Sequence, residues 1–113
     1  MRPVWPARKL IENNIPVAIA TDFNPGSCMT QNMRMIISLA SIKMELSAEE
    51  IINAITYNAA YSLRLSDKLG SIESGKQADI LVYDYDCYKD LVYNFGMNDL
   101  KHIIKKGKIS IGN

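Results

Sequence analysis

An α/β architecture is predicted by three features of this sequence. The first is an unbroken apolar run, Ile15-Pro16-Val17-Ala18-Ile19-Ala20-Thr21. Bounded by turn signals, such a run fits a strand buried on both faces, as in a parallel sheet. The second is helical patterning on either side, including the capping box Ser47-Ala48-Glu49-Glu50. The third is a β-rich end, where residues 102–105 and 108–111 flank Lys106-Gly107 as a hairpin. A parallel strand needs neighbours on both sides and helices on both faces. No second run of this kind occurs, so the chain reads as the end of something larger.

The elements follow in order. Residues 7–14 carry helix formers after Pro6 and end in two asparagines, which suit a helix C-terminus. After the apolar run, Asp22-Phe23-Asn24-Pro25-Gly26-Ser27 breaks the pattern, and Pro25-Gly26 suits the centre of a type II turn. From Gln31 to Met44 the apolar positions go nearly all the way round a helix, which predicts burial between layers. The capping box opens a helix with the stripe Ala48, Ile51, Ile52 and Ile55. Asn58 starts another short helix through Leu65. A turn-rich stretch around Gly70 and Gly75 then leads into the strand Asp79–Asp84 and the final hairpin. The change of character near 67–75 divides the chain into residues 1–66 and 67–113.

Composition narrows the function. The net charge of +1 and the 22% of charged residues leave no electrostatic footprint for nucleic acid or an anionic membrane. No apolar run approaches the roughly 20 residues of a membrane span. The opening Met1-Arg2-Pro3-Val4-Trp5-Pro6 lacks a signal-peptide core. Cys28 and Cys87 are too few for a disulfide framework, so a reducing cytoplasmic setting is expected. The sequence holds a single histidine, His102. A catalytic zinc normally takes about three protein ligands, mostly histidine, so this polypeptide by itself is not expected to build such a centre.

Chemistry concentrates where the apolar run ends. In barrel enzymes the catalytic groups sit where strands give way to loops, and Asp22 stands at that junction. A carboxylate there can ligate a metal and accept a proton from water. Against this, Asp22 and Asn24 are ordinary turn-capping residues, and on spacing alone that plainer reading weighs more. Elsewhere the plain readings prevail. His102 fits hairpin packing, Cys28 fits packing beside the loop, and Asp84, Asp86 and Asp90 lack the glycine and glutamate of a calcium loop.

A family likeness shifts the weight at Asp22. The stretch Ala18-Ile19-Ala20-Thr21-Asp22-Phe23-Asn24-Pro25-Gly26-Ser27 resembles the eighth-strand motif of imidazolonepropionases, members of the amidohydrolase superfamily. Thr56-Tyr57-Asn58-Ala59-Ala60 resembles the superfamily's T-x-N-x-A helix start, and residues 70–80 its return into a small β-domain. Tyr93-Asn94-Phe95-Gly96-Met97-Asn98 resembles the imidazolonepropionase tail. Met29 departs from the proline of the family loop.

The resemblance implies the C-terminal part of a metal-dependent-hydrolase TIM barrel, at 1–66, plus closing strands of a small β-sandwich, at 67–113. It implies hydrolysis of 4-imidazolone-5-propanoate to N-formimidoyl-L-glutamate in histidine degradation. Asp22 would be metal ligand and proton acceptor, and Asn24, Gly26 and Ser27 would line the substrate. The metal would be zinc or iron. The family's paired histidines, its later metal histidine and its substrate arginine have no counterpart here. A barrel needs roughly 200 residues or more, so a fragment inactive by itself is expected. A small-molecule substrate and the missing N-terminal part of the barrel are then the partners, and the intact enzyme allows a homodimer. Two alternatives stand beside this: another cyclic amidohydrolase or deaminase, and a non-catalytic remnant.

Overall fold

The computed structural model describes residues 6–97 and 99–112. Met1–Trp5, read above for a leader, and Asn98 of the tail motif lie outside them. The Pro6 carbonyl accepts the N–H of Leu10 and opens α1 (Ala7–Glu12). Asn14 ends it with φ 59°, while Ile15 and Asn14 donate back to Leu10 and Ile11. This pair of bonds is a Schellman closure, with asparagine in the left-handed position. The asparagine boundary read from the sequence is therefore real.

The strand expected at Ile15–Thr21 does not form a ladder among the described residues. The segment runs without a paired neighbour, and Val17 and Ile19 pack against the helical core. An apolar run specifies burial, but a strand also needs a partner edge, and no described strand is paired to it.

Helix α2 (Met33–Lys43) is shorter than the expected 31–44 because Asn32 caps it, its side chain accepting the Arg34 N–H. One face, with Ile37 and Ala40, is buried, whereas Met35, Leu39 and Ile42 form an exposed stripe, 52%, 44% and 62% accessible. The expectation of a helix covered on nearly all sides holds for one face only, since none of the described elements lies over the other.

The capping box forms as read: Ser47 Oγ accepts the Glu50 N–H, and Glu50 accepts the Ser47 N–H, at the start of α3 (Ala48–Ile55). Arg8 of α1 grips the same Glu50 carboxylate with both terminal nitrogens, at 3.0 and 2.6 Å. Thr56 is at once the end of α3 and the start of α4 (Tyr57–Ser62). That helix starts one residue before Asn58 and stops short of Leu65. Its end is set by Arg64, which turns left-handed at φ 59° while Leu65 donates back to Ala60. The core lies among the first three helices, built of Ala7, Ile37, Ala40, Leu46 and Ile51.

Strand β1 (Ile80–Tyr83), the short helix α5 (Asp90–Tyr93), β2 (Leu100–Lys105) and β3 (Lys108–Gly112) complete the order. The sheet is antiparallel in the order β1-β2-β3, with Ile80 opposite Ile104 and Lys105 opposite Lys108. Lys106 at φ 51° and Gly107 at φ 80° make the expected two-residue hairpin turn. Asp79 holds that turn from outside, accepting the Lys106 N–H at 2.9 Å. His102 lies in β2 opposite Val82, in the hairpin place read for it. No helix among the described residues is long and apolar enough to cross a membrane.

Gly70 brings the turn-rich stretch against α4. Its φ is +94°, and a Cβ there would lie 2.7 Å from that of Ala60 and 3.0 Å from the Thr56 carbonyl. Gly70→Ala is therefore expected to cost about 1–3 kcal/mol from overpacking, with left-handed strain added. A thermal melt of the chain should show its midpoint fall by several degrees.

Acid should also destabilise the fold. The Arg8 hydrogen bond, and next the Ser47 N–H, hold the Glu50 carboxyl below the usual carboxylate range. A group lowered in the folded state stabilises above its unfolded pKa, about 4.3, and loses that contribution as pH falls through the folded value. Melting points measured from pH 7 to pH 3 should drop on the acid side, and Glu50→Gln should flatten that drop.

Candidate functional site

The loop after the apolar segment begins at Asp22. Its φ of 52° places a non-glycine residue in the left-handed region, which aspartate enters more readily than most residues. The Asp22 side chain is exposed and has no hydrogen-bond or ion-pair partner among the described residues. Its main-chain carbonyl is engaged, accepting from Asn24 Nδ2 at 2.7 Å.

Asn24 organises the rest. Its Oδ1 accepts the N–H groups of Gly26 at 2.8 Å and of Ser27 at 2.7 Å. Ser27 Oγ lies 3.2 Å from Asn24 Nδ2. The Asn24 N–H donates to the Cys28 carbonyl at 2.8 Å, and the Cys28 N–H returns to Asn24 at 3.3 Å. Pro25, Gly26 and Ser27 thus form a tight loop closed by one asparagine side chain. The type II turn expected at Pro25-Gly26 is not formed, because Gly26 does not take a positive φ. The side-chain carbonyl of Asn24 supplies the acceptor that sets the turn instead.

The structure therefore gathers all four expected site residues, Asp22, Asn24, Gly26 and Ser27, in one loop. It also commits the Gly26 and Ser27 N–H groups inward to Asn24, leaving the Asp22 carboxylate as the free acceptor. Cys28, half-buried, donates its thiol to the Thr21 carbonyl at 3.0 Å and packs the loop's base. An open cleft of about 490 Å³ lies elsewhere, between Glu49, Tyr57, Gly70 and Tyr88, and includes none of these residues.

As a metal centre the chain is incomplete. Among the described residues no group of three or more His, Cys, Asp or Glu side chains could hold a metal ion. Asp22 offers one carboxylate, and His102 sits in the sheet rather than beside it. This donor set does not fit a catalytic metal without ligands from outside the chain.

Sequence pattern did not single out Arg34, yet it binds more partners than any residue of the loop. The one signal available is a lone charge in the apolar first half of α2. It also missed α5, a four-residue helix too short to leave a periodic trace.

The loop's anchorage is legible in the T-x-N-x-A stretch. Asn58 Nδ2 donates to the Val17 carbonyl at 2.9 Å, tying α4 to the segment that leads into Asp22. The Ile19 N–H donates to the Ala54 carbonyl at 3.1 Å, adding a second tie from α3.

Comparison with known proteins agrees with these features. The imidazolonepropionase of Alkaliphilus oremlandii (strain OhILAs) is 44% identical over 105 residues, covering 93% of this chain and 25% of that enzyme. The imidazolonepropionase of Treponema denticola is 44% identical over 110 residues, covering 96% and 27%. The chain thus spans about a quarter of the length of the curated relatives it matches. Among solved structures, an adenosine deaminase from Xanthomonas campestris with bound zinc superposes with a TM-score of 0.82 at 27% identity, over 95% of this chain and 28% of that one. An atrazine chlorohydrolase from Arthrobacter aurescens TC1, complexed with zinc, gives 0.77 at 25% identity, over 96% and 28%. The fold class expected from the sequence, the C-terminal part of an amidohydrolase barrel with strands of its small β-domain, is the one these structures share with it. The profile of the Amidohydrolase family matches residues 4–110, and the chain belongs to that family.

Proposed function

We propose that this chain carries the Asp22 loop of an imidazolonepropionase, the hydrolase that opens 4-imidazolone-5-propanoate to N-formimidoyl-L-glutamate in histidine degradation. The observation that carries the reading is the Asp22 carboxylate. It is exposed, held left-handed and unpartnered among the described residues, in a chain 44% identical to two imidazolonepropionases. Residues 1–66 then end the barrel and 67–113 belong to the small β-domain. The remaining barrel, outside this chain, is the partner that completes the site in a cytoplasmic enzyme.

In this reading Asp22 is one ligand of a zinc or iron centre whose other ligands lie outside the chain. Zinc is favoured by its presence in two similar structures. A bound divalent metal would polarise the ring carbonyl and acidify water. Asp22 takes the proton of the attacking water, for which a free carboxylate within reach is required. Asn24, Gly26 and Ser27 shape the substrate end of the loop. The Asn24 amide and Ser27 hydroxyl hold that shape through bonds within the loop, and a Cβ at Gly26 would press on Asn24 Oδ1 at 3.1 Å. A related deaminase is the second reading, favoured by the superposition on adenosine deaminase, though at 27% identity rather than 44%.

A chimera tests this directly. The 105 residues that the Alkaliphilus enzyme shares with this chain are replaced by those of this chain. Loss of imidazolone absorbance should then show turnover, and a folded chimera without it would overturn the reading. Asp22→Asn keeps size and most hydrogen bonding but takes no proton, so kcat should fall about 10²–10⁴-fold. The melting temperature at fixed metal should barely move. A variant keeping more than about a tenth of kcat would leave Asp22 a turn residue.

A further inference from the structure

The loop that carries Asp22 is fixed at its entry and needs an equally firm exit. At the entry, α3 and α4 hold Ile19 and Val17 through Ala54 and Asn58. At the exit the chain passes directly into α2. Thr30 Oγ1 accepts the Asn32 N–H, and Asn32 Oδ1 accepts the Arg34 N–H, each at 3.0 Å. The exit is therefore only as well placed as the first turn of α2.

One side chain of that turn is tied to distant parts of the chain. Arg34 Nη1 donates to the Leu91 carbonyl. Nη2 donates to the carbonyls of Asn94 at 2.8 Å and Met97 at 3.3 Å, and to Tyr85 Oη at 3.2 Å. The guanidinium lies 5.8 Å from the centre of the Tyr83 ring, on which Tyr85 stacks at 5.9 Å. Tyr85 Oη in turn donates to Asp99 at 2.8 Å. Among the described residues Arg34 makes no ion pair. Its two terminal nitrogens donate to main-chain carbonyls and a phenol, while Nε is buried without a partner among the described residues. The spread of acceptors suits a planar fork and not a lysine ammonium.

We propose that Arg34 is a positioning residue for the Asp22 loop: by fastening the first turn of α2 to the 91–97 segment, it fixes where the loop ends. The proposal rests on the imidazolonepropionase reading. Removing the clamp lets the α2 turn shift, and a shift near 1 Å can cost about 100-fold in rate even far from the chemistry.

The test uses the chimera described above, assayed well below each variant's melting temperature. Arg34→Gln should lower kcat/KM about 10–100-fold, mainly through kcat. Arg34→Lys keeps the charge without the fork and should recover little of that loss. Tyr85→Phe, a milder change, should shift kcat in the same direction and by less. Ile104→Ala weakens the sheet where β2 faces Ile80 and Ile109, away from the clamp and the loop. It should lower the melting temperature with kcat/KM held within twofold. Arg34→Lys and Tyr85→Phe variants that lower only the melting temperature, as Ile104→Ala does, would overturn the proposal and leave Arg34 a stability clamp. Failure of the underlying reading shows separately, as an Asp22→Asn chimera that stays active.

Discussion

The amide of Asn58 holding the carbonyl of Val17 is the contact on which the site end of the molecule depends. An extended backbone cannot leave its N–H and carbonyl groups unpaired against a core. Here α3 and α4 supply what a neighbouring strand would otherwise give, with the Ala54 carbonyl taking the Ile19 N–H. Those helices must be correctly placed for this to work. The capping box and the Arg8–Glu50 fork orient α3, Ile51 fills its inner face, and the bare Gly70 lets the following loop close on α4. Loosening any of them would move the loop at Asp22 without touching it.

The parts legible in the sequence are those decided by neighbours along the chain. A serine three residues before a glutamate specifies a helix start, and Lys106-Gly107 between apolar pairs specifies a hairpin. Asn14 after a short helix specifies its closure. What the sequence could not show was decided by groups far apart. The run at 15–21 names a buried segment, but whether it becomes a strand depends on an edge the described residues lack. The turn at Pro25-Gly26 follows a dipeptide rule only when no side chain competes, and Asn24 competes successfully. Arg34 leaves no periodic signal, because its side-chain partners are a phenol and three carbonyls 51 to 63 residues away.

The candidate site was legible as a set of residues but not as an arrangement. Asp22, Asn24, Gly26 and Ser27 were expected to act side by side, and they do share one loop. Yet the loop spends the Gly26 and Ser27 N–H groups on its own closure. Its polar atoms therefore divide into those that make the shape and the carboxylate that the shape presents. Such self-sufficiency lets a loop keep one form while the surfaces around it are completed by other parts of a polypeptide.

The closure of that loop by Asn24 has a chemical corollary. Asparagine side chains age when the next residue's backbone nitrogen attacks the amide carbon, releasing ammonia and leaving aspartate. The residue after Asn24 is Pro25, whose ring nitrogen carries no hydrogen and cannot form the neutral cyclic imide. The amide that organises the loop is thus shielded from the commonest spontaneous loss of its kind. Conversion to aspartate would place a second negative charge two residues from Asp22 and remove the donor that its carbonyl receives. Proline at this place preserves the electrical character of the loop over the lifetime of the molecule.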